Sequence, residues 1–218
     1  MAAIKAIVFD LDGTLIDSIP AVAAAVNRLL EEQGRRPLGV KETKTMVGWG
    51  AGITIEKAFE ATGAPLAPID LPEALERYLD FYLADPAGHT VVYPGVRQVL
   101  DKLVGKGTPM GICTNKPVKT THPVLEALGL DRYFSAVACD DVPHRKPDGR
   151  HLRLTLERMG AAGRLAAMVG DNETDMAAAR DAGLFRIGVT WGYPHDPIKP
   201  LDADVVIDAF ADLPGALS

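Results

Sequence analysis

Four short clusters in this 218-residue chain carry side chains able to do chemistry, and each follows or lies near an apolar run. The first is Asp10-Leu-Asp12-Gly-Thr-Leu15. Residues two apart point the same way in extended chain, so Asp10 and Asp12 are expected to face one site. Two neighbouring carboxylates push each other's proton affinities apart. One can stay ionised as a nucleophile while the other carries a proton as a general acid. Gly13 permits the sharp turn that follows. The second cluster, Thr114-Asn115-Lys116, offers a hydroxyl and backbone N–H groups that can hold phosphoryl oxygens. The third, Lys146-Pro147, supplies a cation that neutralises charge on a transferring group. The fourth, Gly170-Asp171-Asn-Glu-Thr-Asp175, adds two carboxylates about one helical turn apart.

Asp10, Asp12, Asp171 and Asp175 gathered together would repel one another without a cation. Oxygen donors with no His or Cys cluster beside them point to Mg²⁺, which also binds phosphoryl oxygens directly. Each cluster has a plainer reading on its own. Asp-Leu-Asp-Gly-Thr reads as a turn, and Thr114-Asn115 as a helix cap. Lys146-Pro147 reads as a solvated loop, and Gly170-Asp171 as an acidic helix start. Their occurrence in order at predicted strand ends favours the chemical reading of the set.

The elements that must position them follow from periodicity. Apolar runs at 4–9, 110–113, 136–139, 166–169, 187–190 and 205–207 are short and continuous, as in strands buried on both faces of a parallel sheet. Helical patterns at 96–103, 123–128, 151–159 and 174–182 alternate with them. This predicts an α/β fold, a doubly wound parallel sheet. Residues 18–86 break the alternation, with helical patterns at 20–32, 53–62 and 72–83. They are expected to form a small inserted helical domain, leaving 1–17 and 87–218 as the core.

Composition narrows the function classes. Apolar residues make up 47% and charged residues 24%, as in soluble globular proteins. Net charge is −6 with no basic stripe, which argues against nucleic acid. An anionic substrate must then be held by local donors. Cys113 and Cys139 sit in apolar runs and read as buried free thiols. No run of about 18 apolar residues suggests a membrane span. The first residues do not resemble a signal peptide, so the cytoplasm is the expected location. The five histidines show no metal spacing, and His151 is expected on a helix surface.

The whole set resembles the haloacid dehalogenase superfamily of aspartate-nucleophile phosphotransferases. The residues carrying the likeness are Phe9-Asp-Leu-Asp-Gly-Thr-Leu15 with Asp17-Ser18, Cys113-Thr-Asn-Lys116, Lys146-Pro147, and Gly170-Asp171 through Asp175. The resemblance implies a Rossmann-like core with a helical cap after the first motif. It implies Asp10 as nucleophile and Asp12 as general acid and base. Thr114, Asn115 and Lys146 would bind the phosphoryl group. Mg²⁺ would be held by Asp10, the backbone carbonyl of Asp12, and Asp171, with Asp175 supporting the metal or Lys146. Val47-Gly-Trp-Gly-Ala51, Leu125-Glu-Ala-Leu-Gly-Leu130 and Thr190-Trp-Gly-Tyr193 are similar to the phosphoglycolate phosphatase branch. A small phosphorylated metabolite is then the expected substrate, 2-phosphoglycolate foremost, with a monomer or homodimer as the unit; related sugar-phosphate and pyrophosphate hydrolases share several of these motifs and are the alternative within the family. Trp49 is bulky for its place in the cap motif and is expected near the pocket. Asp148-Gly149 departs from the usual second proline after Lys146-Pro147.

Three rivals share parts of this pattern. A β-phosphoglucomutase-like mutase would keep all four motifs and return the phosphoryl group to sugar. A carbon–halogen hydrolase would lack Asp12, since no leaving alkoxide needs a proton. A silent binding module would be free to lose the acids and Lys146.

Overall fold

The apolar runs become strands in the computed structural model, which describes residues 4–194 and 200–217. In chain order the strands are β1 (Ala6–Phe9), β2 (Ile16–Asp17), β3 (Val91–Val92), β4 (Met110–Cys113), β5 (Ala136–Ala138), β6 (Ala166–Gly170), β7 (Phe185–Val189) and β8 (Val205–Ile207). Six form one parallel sheet in the order β5-β4-β1-β6-β7-β8. β1, β4 and β6 are buried along their whole length. That explains why they read as continuous apolar runs rather than alternating ones. Along β1, Ile7 and Phe9 join the apolar cluster on one face, and Ala6 and Val8 join that on the other.

Helices cover both faces. In chain order they are α1 (Ile19–Glu32), α2 (Val40–Lys44), α3 (Ala51–Thr62), α4 (Leu71–Leu83), α5 (Val96–Gly105), α6 (Val118–Ala127), α7 (Gly149–Arg158), α8 (Glu173–Ala182) and α9 (Leu213–Ala216). α8 is fixed at both ends. The Asn172 side chain accepts from Thr174 N, Asp175 reaches back to Asn172 N, and Gly183 closes the helix at φ 72°. Asp148 caps α7 by accepting from Arg150 N, which gives the departure after Pro147 a local role. α6 begins at Val118, five residues before the expected start. Pro123 sits inside it, and the burial of Val124 and Leu125 holds a helix that proline's missing N–H would otherwise interrupt.

α1, α3 and α4 pack on one another, and their buried residues continue the cluster on the Ile7/Phe9 face of the sheet. The chain enters this helical segment through β2 and leaves it through β3. These two pair antiparallel, Ile16 opposite Val92 and Asp17 opposite Val91. Tyr193 Oη ties the same crossing. It donates to Asp17 Oδ1 at 2.7 Å and accepts from Ser18 N at 3.0 Å. Neither the ribbon nor α2 was expected from the sequence.

Candidate active site

Strand register assembles the site. Phe9 lies level with Ile112 of β4 and Val169 of β6. Asp10 therefore follows β1 at the level where Cys113 and Gly170 end their strands. Thr114 and Asp171 lie one residue further, a rise of about 3.3 Å. β1 sits between β4 and β6, at the switch point of the sheet, where the crevice beyond the strand ends is open for a ligand.

Buried ion pairs hold the groups there. Lys146 Nζ lies 2.7 Å from Asp10 Oδ1 and 2.6 Å from Asp175 Oδ1. Asp175 Oδ2 accepts from the N–H groups of Asp171 and Asn172 at 3.1 and 3.2 Å. Asp171 accepts from Thr14 Oγ1 at 3.0 Å and Tyr193 N at 2.7 Å. Its carboxylate is wedged between two glycines. A Cβ on Gly13, whose φ is +87°, would come within 2.4 Å of Asp171 Oδ2, and one on Gly192 within 2.1 Å of Asp171 Cβ. Side chains at either place would push the acid away.

Asp10 and Asp12 line one cavity, as expected, but with different partners. Asp12 accepts from Ser18 Oγ at 2.6 Å and pairs with Lys116 Nζ at 3.1 Å. Thr114, Asn115, Lys116 and Lys146 also line the cavity, facing Gly48, Gly50, Ala51 and Tyr78 of the helical segment. The cavity is small, about 40 Å³, room for roughly three waters.

Burial raises the proton affinity of Asp10 to about 7. Lys146 opposes the shift, and Asp175 and Asp12 add to it. Burial also raises Asp171 well above the carboxylate range, helped by Asp175 and Asp10. Burial works against the charge on Lys146, but Asp10 and Asp175 outweigh it and hold the ammonium protonated. Lys116 is held the same way, burial opposing its charge and Asp12 sustaining it.

The structure refines two expectations and corrects a third. The Asn115 side-chain amide is engaged within the protein, while the residue lines the cavity. Its Oδ1 accepts from Lys146 N at 3.0 Å, and its Nδ2 donates to Lys146 O at 3.0 Å and Gly48 O at 3.2 Å. It brackets the Lys146 peptide and ties it to the loop before α3. Trp49 is half-buried between Gly48 and Gly50, which line the cavity, so it stands next to the pocket without being part of its wall. His151 is fully buried rather than on a helix surface, and its ring nitrogens have no hydrogen-bond partner. Burial, then Lys146, pushes its proton affinity down to about 4. Sequence reasoning passed over Lys116 as a site residue. The signal was its place two residues after Thr114 on the same turn, where Lys116 N donates to Thr114 Oγ1 at 3.2 Å. Cys113 and Cys139 are free and buried, as expected. Among the described residues no helix is long and apolar enough to cross a membrane.

A family model for haloacid dehalogenase-like hydrolases matches residues 4–183. The chain is 40% identical over 211 residues to a phosphoglycolate phosphatase of Agrobacterium fabrum, covering 96% of this chain and 91% of that one. It is 41% identical over 214 residues to a phosphoglycolate phosphatase of Rhodospirillum rubrum, covering 96% and 89%. The chain belongs to the haloacid dehalogenase-like hydrolases. A solved structure of a predicted phosphoglycolate phosphatase from Haemophilus somnus superposes with a TM-score of 0.91 at 27% identity, with full coverage of both chains. CbbY from Rhodobacter sphaeroides in complex with phosphate shares the fold, with a TM-score of 0.82 at 22% identity and 96% coverage of each chain.

The acids of this hydrolase fit a divalent cation. Asp10, Asp171 and Asp175 are buried and each places an oxygen within 4.8 Å of the others. Asp10 Oδ1 lies beside the Lys146 ammonium but accepts no aligned hydrogen bond, so a buried acceptor keeps lone pairs to give. All the donors are oxygens, the preference of hard cations. Asp175 already takes three bonds, from Lys146 and two backbone N–H groups, whereas among the described residues each oxygen of Asp171 takes one and faces no lysine. That leaves Asp10 and Asp171 as the better direct ligands.

Proposed function

We propose that this hydrolase is a Mg²⁺-dependent phosphatase that converts 2-phosphoglycolate to glycolate and phosphate through an aspartyl-phosphate on Asp10. The observation that carries it is the pairing of Asp10 and Asp12 on one cavity, Asp10 beside Lys146 and Asp12 beside Lys116. Asp10 attacks phosphorus and forms the new P–O bond as the alkoxide bond breaks. Asp12 enters the step protonated and gives that proton to the departing alkoxide. It then takes a proton from the water that attacks the aspartyl-phosphate, releasing phosphate and restoring Asp10. Thr114 and Lys146 hold the phosphoryl oxygens. Mg²⁺, held by Asp10, Asp171 and the backbone carbonyl of Asp12, would neutralise the charge on the transferring group. Asp175 keeps Lys146 in place.

In this reading residues 18–86 form the cap over a core of 1–17 and 87–218. The β2–β3 ribbon makes the two crossings between them. The chain's likeness to the phosphoglycolate phosphatases of Agrobacterium fabrum and Rhodospirillum rubrum supports the substrate. Two buried free thiols suit a reducing cytoplasm, and a monomer or homodimer is the expected unit.

The test is phosphate release from 2-phosphoglycolate, hexose phosphates, nucleotides and pyrophosphate, with Mg²⁺ and with chelator, beside Asp10→Asn. Preference for 2-phosphoglycolate is expected, with loss of at least ~10³-fold in the variant. Release from other esters alone would remove the substrate. An accumulating sugar-phosphate isomer, with no phosphate released, would replace hydrolysis by mutase chemistry.

A further inference from the structure

We propose that Lys116 reads a second anionic group on the substrate, the carboxylate of a short phosphorylated acid. This rests on the phosphatase reading above and assigns the part of the cavity that sets its selectivity.

The chain carries a net charge of −6, so a substrate's second negative charge must be met locally. Among the described residues, the lysines and arginines lining the cavity are Lys146 and Lys116. They are not equivalent. Lys146 sits between two carboxylates, 2.7 Å from Asp10 and 2.6 Å from Asp175. Its charge is more than offset before any ligand arrives. Lys116 has one carboxylate partner, Asp12, whose two oxygens lie 3.3 and 3.1 Å away. On another flank its Nζ stands 4.5 Å from the centre of the Tyr82 ring. An aromatic face attracts a cation without neutralising it. An ammonium has three donors, so Asp12 leaves capacity for a further acceptor.

Three cations of the helical segment have partners away from the cavity. Arg28 and Arg77 stack on Phe81, and Arg77 also pairs with Glu32. Lys44 stands over Tyr193. None of them lines the cavity.

Spacing sets the substrate's size. Thr114 and Lys116 lie on one turn, joined by the 3.2 Å bond from Lys116 N to Thr114 Oγ1. Both line one cavity, so a phosphoryl group at Thr114 and an anion at Lys116 belong to a single short ligand. The small cavity agrees. Gly50 and Ala51, at the amino end of α3, line the same space and act in the same electrical sense. A residual preference should therefore survive loss of Lys116.

The experiment compares kcat and KM for 2-phosphoglycolate and 2-hydroxyethyl phosphate, which lacks the carboxylate, in the wild type, Lys116→Gln and Lys116→Arg. The wild type should favour the carboxylate ester by at least tenfold in kcat/KM. Lys116→Gln should lower kcat/KM for both, but by tenfold or more beyond the common fall for 2-phosphoglycolate, through KM. Lys116→Arg should restore part of the preference. An equal fall on both esters would mean that Lys116 only positions Asp12, and would overturn the proposal. So would a wild type indifferent to the carboxylate, although phosphate release itself would then stand. Release from neither ester would instead remove the phosphatase reading. Inhibition of the wild type by free glycolate, with ethylene glycol as the uncharged control, needs no variant. No difference between the two would also overturn the assignment.

Discussion

The strand ends of the sheet and the helical segment that covers them contribute to the cavity by different means. From the sheet come charged side chains with assigned partners, Asp10 with Lys146 and Asp12 with Lys116. From the helical segment come mostly small or uncharged groups, among them Gly48, Gly50, Ala51, Thr54 and Tyr78. Its own charges pair on the outside, as Arg36 does with Glu42 and Arg77 with Glu32. Chemistry is thus written in residue types on one side, and shape in small residues on the other. Substitutions on the two sides should differ accordingly.

Among changes that leave the nucleophile in place, the largest effect should come from Lys146→Met. The change leaves Asp10 and Asp175 facing each other, buried and without their shared cation. Removing one partner of a buried pair costs about 3–5 kcal/mol, and losing one charge-stabilising donor costs ~10²–10³-fold in rate. Steady-state phosphate release and thermal denaturation would measure both. Near-normal kcat would show that the sheet side is not where the charge is handled.

Asn115→Ala tests the seam between the two regions. The amide side chain joins the Lys146 peptide to Gly48 O, so its loss frees both. A fall of about 10–100-fold in kcat/KM is expected, the usual scale for groups that orient a site from outside it. If KM rises while kcat is kept, the link to Gly48 matters more than the bracket on Lys146.

How much of this could be read beforehand follows the same division. The six strands of the sheet were visible because a parallel sheet buried on both faces leaves unbroken apolar runs. The clusters after β1, β4 and β6 were visible because ligands gather at strand ends. β2 and β3 were not, since each has two residues and their pairing spans the whole helical segment. Nothing local marks such a ribbon. Lys116 and Asn115 read as one phosphate-holding turn, and only the tertiary contacts to Asp12, Lys146 O and Gly48 O separate their roles. His151 was misplaced although its spacing held the answer. His151, Leu152, Thr155, Leu156 and Met159 follow a helical face, and all five are buried. A polar residue on that face was read as surface by its type rather than by its position.

His151 gives a smaller, pH-dependent effect on the far side of the sheet from the helical segment, among residues packed by α7 and α8. Its proton affinity is about 4 in the folded chain, against 6.5 when unfolded. Between those values the unfolded chain binds the extra proton, so stability is present above pH 6.5 and is lost as pH falls toward 4. The loss is on the order of 3 kcal/mol across that window. His151→Leu should flatten this part of a stability-against-pH curve from chemical denaturation. Phosphate release at pH 7.5 should be nearly unchanged. An unaltered curve would mean that His151 is not the group responsible.

The smallest effect is expected in the helical segment. Arg77 reaches Glu32 at 2.5 Å and stacks on Phe81, yet its side chain and that of Glu32 are 47% and 38% exposed. Solvent weakens such a pair to about 0–1 kcal/mol, and the aromatic contact adds a similar amount at an exposed site. Arg77→Ala should therefore lower the denaturation midpoint slightly and leave kcat/KM for 2-phosphoglycolate within about twofold, a change under ~0.5 kcal/mol. A loss of tenfold would carry a different meaning. The charge of Arg77 would then reach the substrate although it lines no part of the cavity, and the helical segment would contribute charge as well as shape.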